Sequence, residues 1–409
     1  MYKNWDQQKK TLLDVIAKGE CATIQIVGGT NYSIFFRNMH SDLILKKSIL
    51  PVFVDLNHLS YVNLRNIQNL VITGFRRALN EKRYPSRVES NITPQSDLAH
   101  KIEQYLEEAS LRNLTPVVFM EDLDVILSLG TEAFAYFESL RRLYKKCSFL
   151  YLSKTNLSHP DNVKKYRLAP HLYENVIYMP IKDERYLKSL EKGTSPKTFK
   201  RIYSLTGGID SFFSVAMDLK NNLVPRERKN IEKHIISNWH LRSEVHKLWD
   251  SLSQSEIKVL CHIVWGVNEF EKELEYDFKH LLNLGIVEKH RNGFRIVIGL
   301  LRLVGVEKIN KYGLTVEFNK DKFLVNGTSI SLNLSDPERK VLKQFVTNKN
   351  KIVARGDIVK SINSRAKSKN GESIVEQTVS RLKNKLSDVW INPNNLVSVE
   401  GRGFIYREA

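Results

Sequence analysis

From Ala22 to Val27 the chain carries a short apolar run that stops at Gly28-Gly29 and leads into Ile34-Phe35-Phe36. A run of this length bounded by glycines predicts a buried strand, a turn and then a helix. Three further runs, Ile49 to Asp55, Pro116 to Met120 and Cys147 to Leu152, repeat the strand signal. The first of these ends in a carboxylate, and the second runs straight into Glu121-Asp122-Leu123-Asp124. Between them, Leu64 to Leu79 and Leu98 to Ser110 place apolar residues at helical spacing. Strands alternating with helices predict a parallel α/β sheet, and carboxylates at strand ends then fall on its ligand edge.

From about Asp183 the strand signals give way to helical segments at Glu184 to Leu190, Pro196 to Leu205 and Asp210 to Leu223. Between Val245 and Val304 two or three helices precede Leu281 to Val287 and a short ribbon, Gly293 to Ile298. This stretch opens at Leu252 to Leu260, where Ser253 is the expected N-cap and Glu256 completes a capping box. Helices followed by a β-ribbon predict a winged helix. The last hundred residues begin with alternating strands at Leu314 to Phe318, Lys322 to Val325 and Thr328 to Leu332. Three helical stretches follow, and the chain closes on Val397 to Tyr406. The expected fold is therefore multi-domain, α/β plus α+β: a parallel sheet domain over 1–182, a helical lid over 183–238, a winged helix over 239–308 and a second one over 309–409.

Composition adds charge to this picture. The 42% hydrophobic and 26% charged content is ordinary for folded domains, but 63 Lys plus Arg against 45 Asp plus Glu gives a net charge of +18. Such an excess favours a polyanionic partner. Residues 301–409 hold 20 Lys plus Arg and 11 Asp plus Glu, a net of +9, so half the excess sits in about a quarter of the chain. Three widely separated cysteines, Cys21, Cys147 and Cys261, make neither a disulfide framework nor a short-spaced zinc site, which points to a reducing compartment. The first ten residues lack the apolar core of a signal peptide, and no 18-residue apolar run occurs, so a cytoplasmic location without a membrane partner is expected.

Within the basic tail, Val375, Val379, Leu382 and Leu386 recur at helical spacing and share one face, which must pack on a core. At about 100° per residue, Gln377, Arg381 and Asn384 lie opposite, with Ser380 beside them and Lys383 and Lys385 on the flanks. Arg pairs bidentately with guanine, Gln and Asn with adenine, and Lys with phosphates, which is the chemistry of a helix in the DNA major groove.

Residues 312–409 closely resemble the winged-helix effector domain of OmpR-type response regulators. The resemblance rests on Ser331 to Leu342, on Lys351-Ile352-Val353-Ala354-Arg355-Gly356-Asp357-Ile358, on Arg381-Leu382-Lys383-Asn384-Lys385-Leu386, and on Val397 to Tyr406, in the family's order. It implies double-stranded DNA as partner, with Gln377, Ser380, Arg381 and Asn384 in the major groove, Thr378 also among the DNA-binding positions, Lys383 and Lys385 on backbone, and Arg402 on the wing. The chain departs from the family at Asn384, where a second basic residue is usual, and at Glu400, which replaces a common wing arginine. The basic run Arg365 to Lys369 stands where family members contact DNA backbone or RNA polymerase.

In place of a phosphoacceptor receiver, the first 235 residues resemble a P-loop ATPase of the STAND or AAA+ type. The resemblance rests on Ile26-Val27-Gly28-Gly29, Val117 to Asp124, Phe149 to Ser153, Met179-Pro180-Ile181 and Leu205-Thr206-Gly207-Gly208. It implies nucleotide-binding positions at Gly28, Gly29, Ser33, Asp122 and Asp124. The phosphate loop is damaged, however. Gly28 to Ser33 is too short, lacks the lysine and puts Tyr32 in its place, and Glu121 precedes Asp122 where the order Asp-Glu is usual. No catalytic residue and no cofactor are expected, with ATP or ADP held without turnover as the remaining option. His262, His280 and His290 show no metal-ligand spacing. The expected function is a sequence-specific transcriptional regulator whose front end senses or binds a partner protein or a second copy of the chain. The alternatives are a nucleotide-dependent switch, with Asp122 and Asp124 on a metal, and a DNA-binding adaptor recruiting a protein in a mobile-element or defence assembly.

Overall fold

The structure, a computed structural model, describes residues 5–30, 32–56, 59, 61–84, 86, 88, 97–144, 147–182, 184–191, 193–224, 226–267, 269–290, 293–309, 315–362 and 371–407. Asn31 and the run Arg365 to Lys369 lie outside them. The chain divides into two compact units. One holds Met1–Phe199, Gly208–Val215 and Lys279–Gly285; the other holds Lys200–Gly207, Ala216–Phe278 and Ile286–Ala409.

The first unit is built on β1 (Ala22–Gln25), β2 (Ile49–Asp55), β3 (Thr115–Glu121), β4 (Ser148–Ser153) and β5 (Val176–Tyr178). They pair in the order β2-β3-β4-β1-β5, all parallel. The helices are α1 (Trp5–Lys18), α2 (Ser33–Leu45), α3 (Leu64–Glu81), α4 (Leu98–Leu111), α5 (Leu123–Leu127), α6 (Thr131–Leu143) and α7 (Pro160–Lys165). Alternation along the strands divides the core. Val118 and Met120 face a cluster with Ile67, Phe75, Tyr105, Phe134 and Phe137, whereas Val117 and Phe119 face Leu12, Phe36, Met39 and Leu43. Both faces are thus covered, as a parallel sheet requires. The four expected strands are present within one or two residues. β5 is a three-residue strand whose signal was too short to stand out, and α1 was not foreseen.

The helices expected of a lid are present as α8 (Glu184–Leu190), α9 (Pro196–Thr206) and α10 (Asp210–Asn222). They do not form a unit of their own: the boundary between the two units passes through α9 and again through α10.

The second unit contains α11 (Ile231–Ser237), α12 (Trp239–Asp250), α13 (Gln254–Val264), the first part of α14 (Lys272–Leu284), the ribbon β6 (Val287–His290) and β7 (Gly293–Ile296), and α15 (Gly299–Ile309). The expected capping box is formed: Ser253 N–H donates to Glu256 Oε2 at 2.7 Å, and Glu256 N–H to Ser253 Oγ at 3.1 Å. An antiparallel sheet follows, β8 (Val316–Asn319), β9 (Lys322–Val325) and β10 (Thr328–Ile330). Then come α16 (Asp336–Thr347), β11 (Ile352–Ala354), α17 (Arg355–Ile362), α18 (Gly371–Asp388), β12 (Leu396–Val399) and β13 (Gly403–Tyr406). Strands β11, β13 and β12 close a small antiparallel sheet in that order.

The two winged helices are fused within this unit. Trp265 Nε1 donates to Val389 O at 3.1 Å, and Ser331 N–H donates to Trp265 O at 2.9 Å. Trp390, fully buried, meets Trp249 edge-on at 5.4 Å and lies flat on Gly305, where a Cβ would come within 2.5 Å of its ring. A glycine is needed there for lack of space rather than for its backbone angles.

Candidate nucleic-acid interface and the ligand edge of the sheet

Helix α18 is oriented by its apolar side. Val375, Leu382 and Leu386 are fully buried and Val379 nearly so, while Gln377, Ser380, Arg381 and Asn384 on the other side are exposed. Its supports come from sequence-distant elements. Phe345 of α16 packs edge-on against Phe404 of β13, and Arg355, at the start of α17, lies over the Phe404 ring at 5.2 Å. The same Arg355 guanidinium donates to Glu376 Oε1 at 3.1 Å and Ser398 Oγ at 3.4 Å, tying together α17, α18 and the wing. In the sequence Arg355 is legible only as part of a motif; its positioning role depends on contacts 21 and 43 residues away.

The wing turn carries Arg402, exposed between β12 and β13, beside exposed Glu400. At Gly403, φ is +151° and a Cβ would fall 2.0 Å from Val353 O, so only glycine lets β13 approach β11 here.

Two expected DNA contacts are placed otherwise. Thr378 is 8% exposed, and its hydroxyl donates to Ile374 O at 2.7 Å, so it belongs to the helix's packed side. Lys385 is pulled inward: its Nζ is 2.5 Å from Glu338 Oε2, a carboxylate only 4% exposed. Burial alone would raise the Glu338 carboxyl, but the hydrogen bonds from Lys385 and Ser335 outweigh it and hold it below its usual value. Lys383 is half-buried at the flank of the exposed face.

At the ligand edge of the parallel sheet, the glycine turn after β1 contains buried Gly28 and exposed Gly29, and Ser33 is the first residue of α2. The position expected for a lysine holds Tyr32, 3% exposed. Its hydroxyl accepts from Val27 N–H at 3.0 Å and donates to Met179 O at 3.1 Å, bridging the loop to the segment after β5. Burial pushes this phenol far above its usual range, so it stays a neutral donor. Trp5 of α1 stacks on Tyr32 with centroids 5.4 Å apart and donates Nε1–H to Pro180 O at 3.2 Å. Lys182 lies against the rings of Trp5 and Tyr186 and pairs with Asp210 at 2.7 Å, and Ser211 Oγ donates to Gly29 O.

The expected metal-binding carboxylates are also engaged. Asp124 accepts from Ser153 Oγ at 2.9 Å, Lys154 N–H at 2.8 Å and Thr155 N–H at 3.0 Å, closing the end of β4. Asp122 adopts a left-handed backbone, φ +59°, and lies 3.5 Å from Lys154 Nζ. Among the described residues, no group of three His, Cys, Asp or Glu is arranged to hold a metal ion, and no helix is long and apolar enough to cross a membrane. Burial pushes His280 down to about 3, and His262 stacks on Phe270.

Residues 328–406 match the family described as "Transcriptional regulatory protein, C terminal". The carboxyl-terminal winged helix is therefore an effector domain of that family, as the motifs around α18 implied. No curated protein matches the chain. Among solved structures, the Aeropyrum pernix ORC2 protein in its ADPNP-ADP complexes is 12% identical, with a TM-score of 0.45, over 73% of this chain and 92% of that one. Cdc6p from Pyrobaculum aerophilum is 14% identical, with a TM-score of 0.42, over 73% and 90%. The Aeropyrum pernix ORC1 protein in complex with DNA is 10% identical, with a TM-score of 0.34, over 94% and 84%. Likenesses this low transfer no site residue and no activity.

Proposed function

We propose that the chain is a sequence-specific DNA-binding transcriptional regulator whose front unit is a nucleotide-independent scaffold for binding a partner. The observation that carries the reading is α18, buried along Val375, Val379, Leu382 and Leu386 and exposing Gln377, Ser380, Arg381 and Asn384, within a segment matching a transcriptional regulatory effector family. In this reading Arg381 takes a guanine edge, Gln377 and Asn384 take adenine edges, and Lys383 and Arg402 meet flanking phosphates. The net charge of +9 over 301–409 supplies the long-range attraction.

The scaffold part of the proposal is supported by the contacts at the sheet's edge. Tyr32 uses its hydroxyl on Val27 and Met179 where a lysine would meet phosphate, and Asp124 uses both carboxylate oxygens on the end of β4. In this reading neither Tyr32 nor Asp124 supplies the charge pairing that phosphoryl transfer needs.

Binding of the full-length protein to a genomic fragment library at about 0.15 M salt tests the reading, alongside Arg381→Ala, for which a groove contact predicts a loss of about 1–3 kcal/mol. A recurring sequence lost in the variant is the expected result. Sequence-independent recovery that vanishes with salt would reduce the tail to an electrostatic anchor, and ATP turnover abolished by Asp122→Ala would replace the scaffold with a nucleotide switch.

A further inference from the structure

Helices α2, α4 and α6 each lead into a strand, and those strands, β2, β3 and β4, are parallel neighbours. Their carboxyl ends therefore meet at the edge of the sheet opposite the ligand edge. Each of the three ends there in an exposed leucine: Leu45 is 81% exposed, Leu111 85% and Leu143 67%. Three such leucines at one edge exceed the scatter of single apolar residues on ordinary surfaces.

Contacts between their neighbours link the three helix ends. Lys82, just past α3, donates to Lys46 O at 2.7 Å, beside Leu45. Two residues further on, Tyr84 lies under Arg112, which follows Leu111, at 5.1 Å. Tyr144, next to Leu143, reaches Glu107 Oε1 of α4 at 3.4 Å, one turn before Leu111. Around the leucines stand exposed Lys46, Lys47, Arg83 and Arg142. The leucines are flanked mainly by basic side chains, with exposed Glu81 and Glu107 among them.

The chain also carries the matching chemistry elsewhere. Glu269, Glu271, Glu273 and Glu275, four glutamates in seven residues, are all exposed just before and at the start of α14, with Lys258 Nζ 3.8 Å from Glu271, beside Tyr276, itself 47% exposed. In a chain of net charge +18 this acidic stretch is out of character, and it repels DNA from the module that bears it. We propose that the Glu269 to Tyr276 surface of one copy docks on the Leu45, Leu111, Leu143 edge of a second copy, with glutamates against Lys46, Lys47 and Arg83 and Tyr276 among the leucines. The contact joins two different surfaces, so it is heterologous and builds a head-to-tail pair with one free surface of each kind. It does not rest on the DNA-binding reading.

Sedimentation velocity on the full chain, across a concentration series at about 50 mM and about 0.5 M salt, tests it. Expected is a reversible self-association that weakens at least about tenfold at the higher salt. Glu271→Lys with Glu273→Lys, and separately Lys46→Glu with Lys47→Glu, leave each variant monomeric with unchanged circular dichroism and melting, because all four residues are exposed. Mixing the two variants restores association, through the intact glutamates of one on the intact lysines of the other and through the exchanged charges at the reversed pair. A wild type that stays monomeric throughout overturns the proposal. So does association that survives both charge reversals, or that is lost with Leu111→Asp but not with the glutamate changes, which would mean that leucine edges meet each other.

Discussion

Lys385 Nζ sits 2.5 Å from Glu338 Oε2, the oxygen that also accepts the Ser335 N–H at 2.7 Å. A lysine on the flank of α18 is thereby bound to the capping box of α16. The first winged helix has the same capping glutamate, Glu256, buried to the same 4%. One carboxylate is held charged and the other is pushed toward the neutral form.

Replacing Lys385 by methionine leaves Glu338 buried against its capping bonds alone. Urea denaturation is expected to show a loss of about 1–2 kcal/mol, less than for a fully buried pair because Lys385 is partly exposed. Restoration of most of that loss by Glu338→Gln in the same chain would establish the pair as its source. A Lys385 variant of unchanged stability would return the residue to the phosphate contacts.

Burial pushes Glu256 up to about 7, with a smaller push from Asp277 and a partial offset by the Ser253 hydrogen bonds. Because its folded value lies above its ordinary 4.5, its contribution to stability is complete below pH 4.5 and is lost as pH rises through 7. Glu256→Gln keeps the capping bond and removes the titration. Chemical denaturation between those limits should therefore have a flatter pH dependence in the variant. Glu338 behaves in the opposite sense: its lowered value makes a contribution present above the ordinary carboxylate range and lost on acidification.

Thr378→Val should leave DNA sequence preference intact and change stability by no more than about 1 kcal/mol, since the hydroxyl bonds only to its own helix. Ser380→Ala and Asn384→Ala, on the exposed side, should each weaken binding by about 1–3 kcal/mol at one or two base positions. Equal losses from Thr378 and Asn384 in a competition assay would contradict the assigned faces.

Tyr32→Phe deprives Val27 N–H of its acceptor in a buried loop and should lower stability by about 1–3 kcal/mol. Added ATP with Mg²⁺ should shift the melting temperature of neither the wild type nor the variant, as thermal scanning would show. A shift in the wild type would mean that nucleotide displaces the tyrosine.

Gly305→Ala places a methyl 2.5 Å from the Trp390 ring, with expected destabilisation of about 1–3 kcal/mol. Fluorescence of the buried tryptophans would report whether the two winged helices separate before either unfolds.

The sequence by itself determined the local elements. Alternating apolar runs and helical periodicity located β1 to β4, the helices between them and both winged helices, because burying one face or one stripe dictates spacing that short segments reveal. The apolar side of α18 also followed from periodicity, and Gln377, Ser380, Arg381 and Asn384 are exposed as the wheel placed them. What residues on its margins do was decided only in three dimensions. Lys385 turns inward because Glu338, 47 residues earlier, needs a counter-charge, and Arg355 becomes a strut because Glu376, Ser398 and Phe404 converge on it. The same holds at the sheet's edge. That the turn after β1 lacks a lysine is legible in the sequence, but that Tyr32 joins Val27 there to Met179 depended on how β1 and β5 pair. Periodicity reports what a residue turns toward the core; the partner it meets there is set by which distant segments the fold brings beside it.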